Sequence, residues 1–154
     1  MGIRDIFSCP IEDVTSFVLR HGLAATLDGE ILYHRPCHDS LEDRGLTLLR
    51  DQLGTNAVAV PHCCSEAGTL SLSRPDITAQ MLAKKADAFR SILGASPHGT
   101  ERVLTNCPSC LQGLGRQPGV RPQHLAVALA EKIGGAEWRR ELDSLMKRAE
   151  IVNY

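Results

Sequence analysis

The sequence predicts an α/β domain, a mainly parallel sheet flanked by helices, with candidate ligand cysteines at the carboxyl ends of its strands. Short apolar runs (Glu30 to His34, Ala57 to Val60, Arg102 to Thr105) alternate with stretches of helical period, the pattern of a parallel sheet with crossover helices. Each run is followed within three residues by cysteine, and in open parallel sheets sites form beyond the carboxyl ends of the strands.

Taken in order, Ile11 to His21 is amphipathic and stops at Gly22, which predicts a first helix. The run Glu30 to His34 predicts a strand. Ser40 followed by Asp43 predicts a capping box opening a helix over Leu41 to Leu53, with apolar residues at 41, 46, 48, 49 and 53 and a stop at Gly54. Ala57 to Val60 is continuously apolar, as expected of a strand covered on both faces. After a Gly/Ser loop, Pro75 suits the first position of a helix that Gly94 ends. On it Ile77, Met81, Ala88 and Ile92 share one face, and Lys84, Lys85 and Asp87 are expected off it. Arg102 to Thr105 predicts a third strand, Pro108 a helix start, and Gly113 to Gln123 a long loop. A nearly all-apolar helix over His124 to Ile133 is expected to be buried. In the last helix Trp138, Leu142, Leu145, Met146 and Ala149 form a stripe expected to join the core.

Composition narrows the function classes. The 154 residues suit a single domain, 1–154, with its core at about 30–133. Seventeen Lys and Arg against 18 Asp and Glu, a net charge of -1, make no case for nucleic acid or an anionic membrane surface. No apolar run approaches a membrane span, and Asp5, Glu12 and Asp13 break the pattern of a signal peptide. The expected compartment is the cytoplasm, where thiols stay reduced.

The six cysteines then call for metal or redox chemistry rather than disulfides. Cys107-x-x-Cys110 at a strand-to-helix junction lets two sulfurs face one ion and favours thiolate. Cys63 and Cys64 are adjacent, so their side chains diverge and more readily reach two metal atoms than one. With Cys37, five thiols converge if the strands are parallel neighbours. A structural zinc closes with four ligands and leaves one over; an iron–sulfur cluster can use all five. Cys9 lies outside the pattern and reads as a free thiol. His34, His38 and His62 flank the cysteine segments and are candidates to hydrogen-bond sulfurs. His21, His98 and His124 read as surface or capping residues. No serine has an evident base and orienting acid, Gly113 and Gly115 form no nucleotide fingerprint, and no catalytic residue is assigned.

The segments His34-Arg35-Pro36-Cys37-His38, His62-Cys63-Cys64-Ser65-Glu66-Ala67-Gly68 and Asn106-Cys107-Pro108-Ser109-Cys110 resemble the cysteine-rich CCG domain from about Glu30 to Ile133. That domain occurs in a subunit of heterodisulfide reductase, in iron–sulfur subunits of glycolate oxidase and anaerobic glycerol-3-phosphate dehydrogenase, and fused to FAD-linked D-lactate-type dehydrogenases. The resemblance implies Cys37, Cys63, Cys64, Cys107 and Cys110 as ligands of a 4Fe-4S-type cluster, noncubane in heterodisulfide reductase, with zinc in some members. It departs at Ser65, which stands where the name-giving glycine does. Members often carry two such domains and a ferredoxin-like cysteine run; this chain has one domain and no such run.

What the resemblance implies is an electron-transfer module of a longer flavoprotein or complex, without turnover of its own. Its partners are a flavin dehydrogenase domain or subunit, which alone holds FAD, and a downstream acceptor. Any membrane association is peripheral, at the inner face, through those partners. Two readings compete: a zinc-stabilised interaction domain without redox role, and an iron–sulfur site acting on thiols or disulfides.

Overall fold

The computed structural model describes Cys9 and residues 11–23, 25–66, 70–94 and 101–149. Four parallel strands lie in the order β2-β1-β3-β4: β1 is Glu30–Tyr33, β2 Asn56–Ala59, β3 Glu101–Thr105 and β4 Val120–His124. The parallel α/β expectation holds.

Strand residues alternate between two cores, as the period of two requires. Ile31, Tyr33, Ala57 and Leu104 face one core, shared with Leu125 and Leu129 of α6 (Leu125–Gly134). Leu32 and Val103 face the other, which holds Phe89 of α4 (Pro75–Leu93), Leu114 of α5 (Pro108–Gly115), Cys64 and Cys110. The chain leaves β1 toward β2, then crosses back to place β3 on the other side of β1. This reversal makes the carboxyl ends of β1 and β3 the crevice at which such sheets bind ligands.

The first helix, α1 (Val14–Arg20), is capped by Asp13, which accepts from the Thr15 amide at 2.8 Å. The predicted helix over 41–53 forms differently. Asp39, not Ser40, caps the turn: its Oδ1 accepts from the Leu41 amide at 2.9 Å and its Oδ2 from the Asp43 amide at 3.0 Å. Glu42 and Asp43 then take positive φ, so regular helix begins only at α2 (Gly45–Thr47) and runs on as a π-helical turn, Leu48–Gln52. The apolar set still finds its core: Leu41, Leu48, Leu49 and Leu53 are buried, with Leu46 against them.

Three further expectations are corrected. The segment read as a long loop, 113–123, continues α5 to Gly115 and then forms β4, hidden in the sequence because it is an edge strand carrying Pro122 and polar neighbours. A short helix, α3 (Leu70–Ser73), precedes α4. The stripe of α7 (Trp138–Arg148) is not core: Leu142, Leu145 and Met146 are 45%, 58% and 65% exposed. The helix touches only α6 and the 3-10 turn Gly135–Glu137 among the main element contacts, so nothing described in this chain covers that side. Helical period locates an apolar face; it does not supply its partner. Likewise α6 buries Leu125, Ala128 and Leu129 but leaves Ile133 exposed. Among the described residues no helix is long and apolar enough to cross a membrane.

Candidate metal centre

The vicinal pair sits in the loop after β2, and a left-handed residue flanks it on each side: His62 at φ 68° and Ser65 at φ 67°. The loop is turned so sharply that Ser65, with a Cβ, occupies a conformation that favours glycine. Its hydroxyl is buried without a partner. On the facing side, Cys107 is the N-cap of α5 in extended conformation, Pro108 opens the helix, and Cys110 is turned into the core.

Gly113 closes these two segments together. A Cβ there would lie 2.1 Å from the Cys64 carbonyl oxygen, so only glycine lets α5 reach the pair's backbone. Arg116, just beyond α5, pairs with Glu66 at 2.9 Å and ties down the loop after the pair. The Cys37 segment is anchored from below. The buried Tyr33 hydroxyl donates to Asn106 Oδ1 at 3.0 Å, and Asn106 Nδ2 donates to Asp39 Oδ1 at 2.8 Å and Ser40 Oγ at 3.0 Å. Burial pushes the Tyr33 phenol up, so it stays a donor. Asn106, the residue before Cys107, therefore links that cysteine's strand to the turn carrying Cys37.

The closest group of donors is His34, Cys64 and Cys110, all buried, with one ligand atom of each within 4.8 Å of the others. Hydrogen bonding from the Cys110 thiol, and next among the favourable contacts from His34, holds the Cys64 thiol down at about 4 despite its burial. The same bond, with burial, pushes Cys110 well up. At neutral pH the two form a thiol–thiolate pair sharing one proton. Burial also raises Cys63, opposed by the Ser65 amide, which donates to its sulfur at 3.4 Å.

The other expected residues lie around this group. Cys107 is half-buried and its sulfur perturbs Cys110. Cys63 is half-buried beside Cys64, and the field of Cys37 reaches it. Cys37 itself is exposed, with its sulfur 3.6 Å from His38 Nδ1. Cys37 and Cys63 line one cleft of about 420 Å³ with Tyr33, Arg35 and His62. All five thiols thus stand at the carboxyl edge of the sheet, three of them outside the tight group. His38 and His62 are exposed; of the three flanking histidines only His34 is buried beside sulfurs. Cys9 is a free, exposed cysteine. His21 is exposed, His124 caps α6 by accepting from the Ala126 amide at 3.2 Å, and His98 lies outside the described residues.

Lys85 is the residue that periodicity misplaced. Expected off the apolar face of α4, it is 0% exposed, and Thr78, Lys85, Ala88 and Phe89 make the buried face. Its ammonium donates to the carbonyls of Val60, Pro61 and His62 at 3.2, 2.7 and 3.0 Å, and lies 2.9 Å from His34 Nδ1. No spacing rule signals a lysine that caps a loop by burying its head. Gly113 carried a signal, a glycine inside a helix, which asks for a close-packing reason.

The donor set fits a soft or borderline metal. Thiolate and imidazole are the ligands such ions take, and the second ring nitrogen of His34, Nε2, is buried without a hydrogen-bond partner of good geometry.

Comparison with known proteins agrees with this chemistry. Residues 31–115 match the family described as CCG, cysteine-rich domain. Lactate utilization protein A of Anoxybacillus flavithermus is 31% identical over 119 residues, covering 70% of this chain and 48% of that protein. A subunit of the anaerobic glycerol-3-phosphate dehydrogenase of Escherichia coli is 29% identical over 111 residues, covering 68% of this chain and 26% of its own length. The chain therefore spans half or less of these relatives. No solved structure matches. With the family pattern matched over more than half its length and its cysteines at one sheet edge, the chain belongs to the CCG cysteine-rich domain family.

Proposed function

We propose that this chain is an iron–sulfur-binding electron-transfer module of a dehydrogenase. One observation carries the reading: cysteines that follow three separate strands stand at one edge of the sheet, with the buried Cys64 and Cys110 at its centre. The residues that would hold the group are Cys37, Cys63, Cys64, Cys107 and Cys110. A 4Fe-4S-type cluster, cubane or noncubane, supplies one-electron transfer when bound. The protein's own part is to keep Cys64 ionised, to bury it with Cys110, and to leave the Cys37–Cys63 side open to the cleft. Burial and hydrogen bonds to sulfur are the levers that set the potential of such a site.

The names of the relatives, a lactate utilization protein and a glycerol-3-phosphate dehydrogenase subunit, support a dehydrogenase partner; the electron donor in this reading is a flavin dehydrogenase domain or subunit that holds FAD, as the family resemblance implies. The acceptor is a downstream carrier, and membrane association, at the inner face, is through those partners. The domain spans 1–154 with its core at about 30–133 and is a module of a longer flavoprotein or complex.

A second reading, a structural zinc site, is favoured by one observation: the tightest donor group is a His–Cys–Cys set. Anaerobic reconstitution with iron and sulfide separates the two. The electron-transfer reading predicts a broad visible absorption and a paramagnetic signal on one-electron reduction or oxidation. Tight zinc binding with no cluster assembling overturns it.

A further inference from the structure

Lys85, buried beneath the cysteine pair, meets the site through His34. Lys85 Nζ has four neighbours: Pro61 O at 2.7 Å, His34 Nδ1 at 2.9 Å, His62 O at 3.0 Å and Val60 O at 3.2 Å. Three are carbonyl oxygens, which only accept. An ammonium has three protons and nothing to accept with, and its three shortest contacts account for all three. The negative ends of three carbonyl dipoles converge on this nitrogen and favour its charged form over the neutral amine. Burial pulls the Lys85 ammonium down to about 8, resisted first by the field of the Cys64 sulfur and then by those of Cys110 and Cys63, which leaves it above neutral pH.

An ammonium beside Nδ1 makes that nitrogen the acceptor, and a neutral imidazole then carries its proton on Nε2. Nε2 has no hydrogen-bond partner of good geometry, and His34 lies within 4.8 Å of the Cys64 and Cys110 ligand atoms. A nitrogen that keeps its proton cannot offer a lone pair to a metal.

We infer that Lys85 fixes the tautomer of His34 and so makes His34 a hydrogen-bond donor to the Cys64–Cys110 sulfurs instead of a metal ligand. The inference deepens the proposed function and rests on its reading that these sulfurs hold the metal group. Lys85 is a positioning residue: it sets which ring atom meets the sulfurs and places one fixed positive charge beneath them. An N–H donor and a nearby cation both favour the more negative, reduced state of a thiolate-bound centre, so together they raise its potential.

The first test needs no cluster. Long-range nitrogen–proton correlation spectra of the reduced, metal-free chain with labelled histidine are expected to show His34 protonated on Nε2 and bare on Nδ1. A proton on Nδ1, alone or in an imidazolium, overturns the inference. In Lys85→Met the preference for one tautomer should be lost; an unchanged His34 tautomer in that variant, folded by its amide spectrum, overturns the role of Lys85. The second test uses the reconstituted protein. The midpoint potential should move to more negative values in Lys85→Met and His34→Leu, while His34→Gln, which keeps an N–H donor, stays close to wild type. Equal shifts in Gln and Leu overturn it. Failure to assemble any cluster would sink the electron-transfer reading and leave the tautomer measurement standing, so the two can fail separately.

Discussion

Gly113 of α5 packs against the Cys64 peptide so closely that an added Cβ would meet the carbonyl oxygen at 2.1 Å and the carbonyl carbon at 2.9 Å. Backbone cannot swing away as a side-chain tip can, so Gly113→Ala must push α5 and the vicinal-pair loop apart. Overpacking of this kind costs about 1–3 kcal/mol. It also separates Cys110 from Cys64, so affinity for cobalt, a spectroscopic probe of thiolate sites, should fall at least about tenfold, the equivalent of ~1.4 kcal/mol. Denaturant melts and cobalt titration measure the two effects; an alanine variant with wild-type stability and affinity would show that the contact does not hold the site together.

Ser65 departs from the family's glycine at a position whose φ is 67°. Ser65→Gly removes a left-handed strain of about 1–2 kcal/mol and a buried hydroxyl without a partner, against about 0.5–1 kcal/mol for the greater freedom of glycine in the unfolded chain. The variant should be more stable by about 1 kcal/mol. Ser65→Ala removes the hydroxyl and keeps the strain, so in thermal melts it should gain less than the glycine variant. The reverse order would place the cost in the hydroxyl.

Thiol reactivity separates ionisation from access. Cys64 is held ionised, with its thiol at about 4, yet it is only 3% exposed, whereas Cys9 and Cys37 are exposed. Iodoacetamide should label Cys9 and Cys37 of the reduced, metal-free protein first and Cys64 among the last, as read by peptide mass mapping. Loading with iron and sulfide should then slow Cys37 and leave Cys9 unchanged. Cys37 labelled equally fast before and after loading would remove it from the ligand set.

The Lys85 ammonium gives a stability difference with a defined sign. Its folded value is about 8 against 10.5 in the unfolded chain. Between those values the unfolded chain binds more protons, so this group's contribution rises with pH. Below pH 8 its full cost, about 3 kcal/mol, is present, and above 10.5 it is gone. Lys85→Met should be less stable than wild type because it strands the carbonyls of Pro61 and His62. The gap should widen by about 3 kcal/mol from pH 8 to 10.5. Parallel denaturation curves for the two proteins across that range would show that no buried ammonium titrates there.

By itself the sequence determined strands β1, β2 and β3, the helix from Pro75 to Leu93 and the gathering of cysteines at one edge. Those follow from local rules: apolar runs, Pro and Gly at helix ends, and the geometry of parallel crossovers. Only the tertiary structure decided the rest. It made a strand of 120–124, because an edge strand with Pro122 has little local signal and takes its shape from pairing with β3. It left the stripe of α7 uncovered, because an apolar face states a need and not a neighbour. It buried His34 beside the Cys64 and Cys110 sulfurs while leaving His38 and His62 exposed, and it buried Lys85 against loop carbonyls. Those outcomes depend on distances between segments far apart along the chain, and no local pattern encodes the direction in which a loop turns its carbonyls.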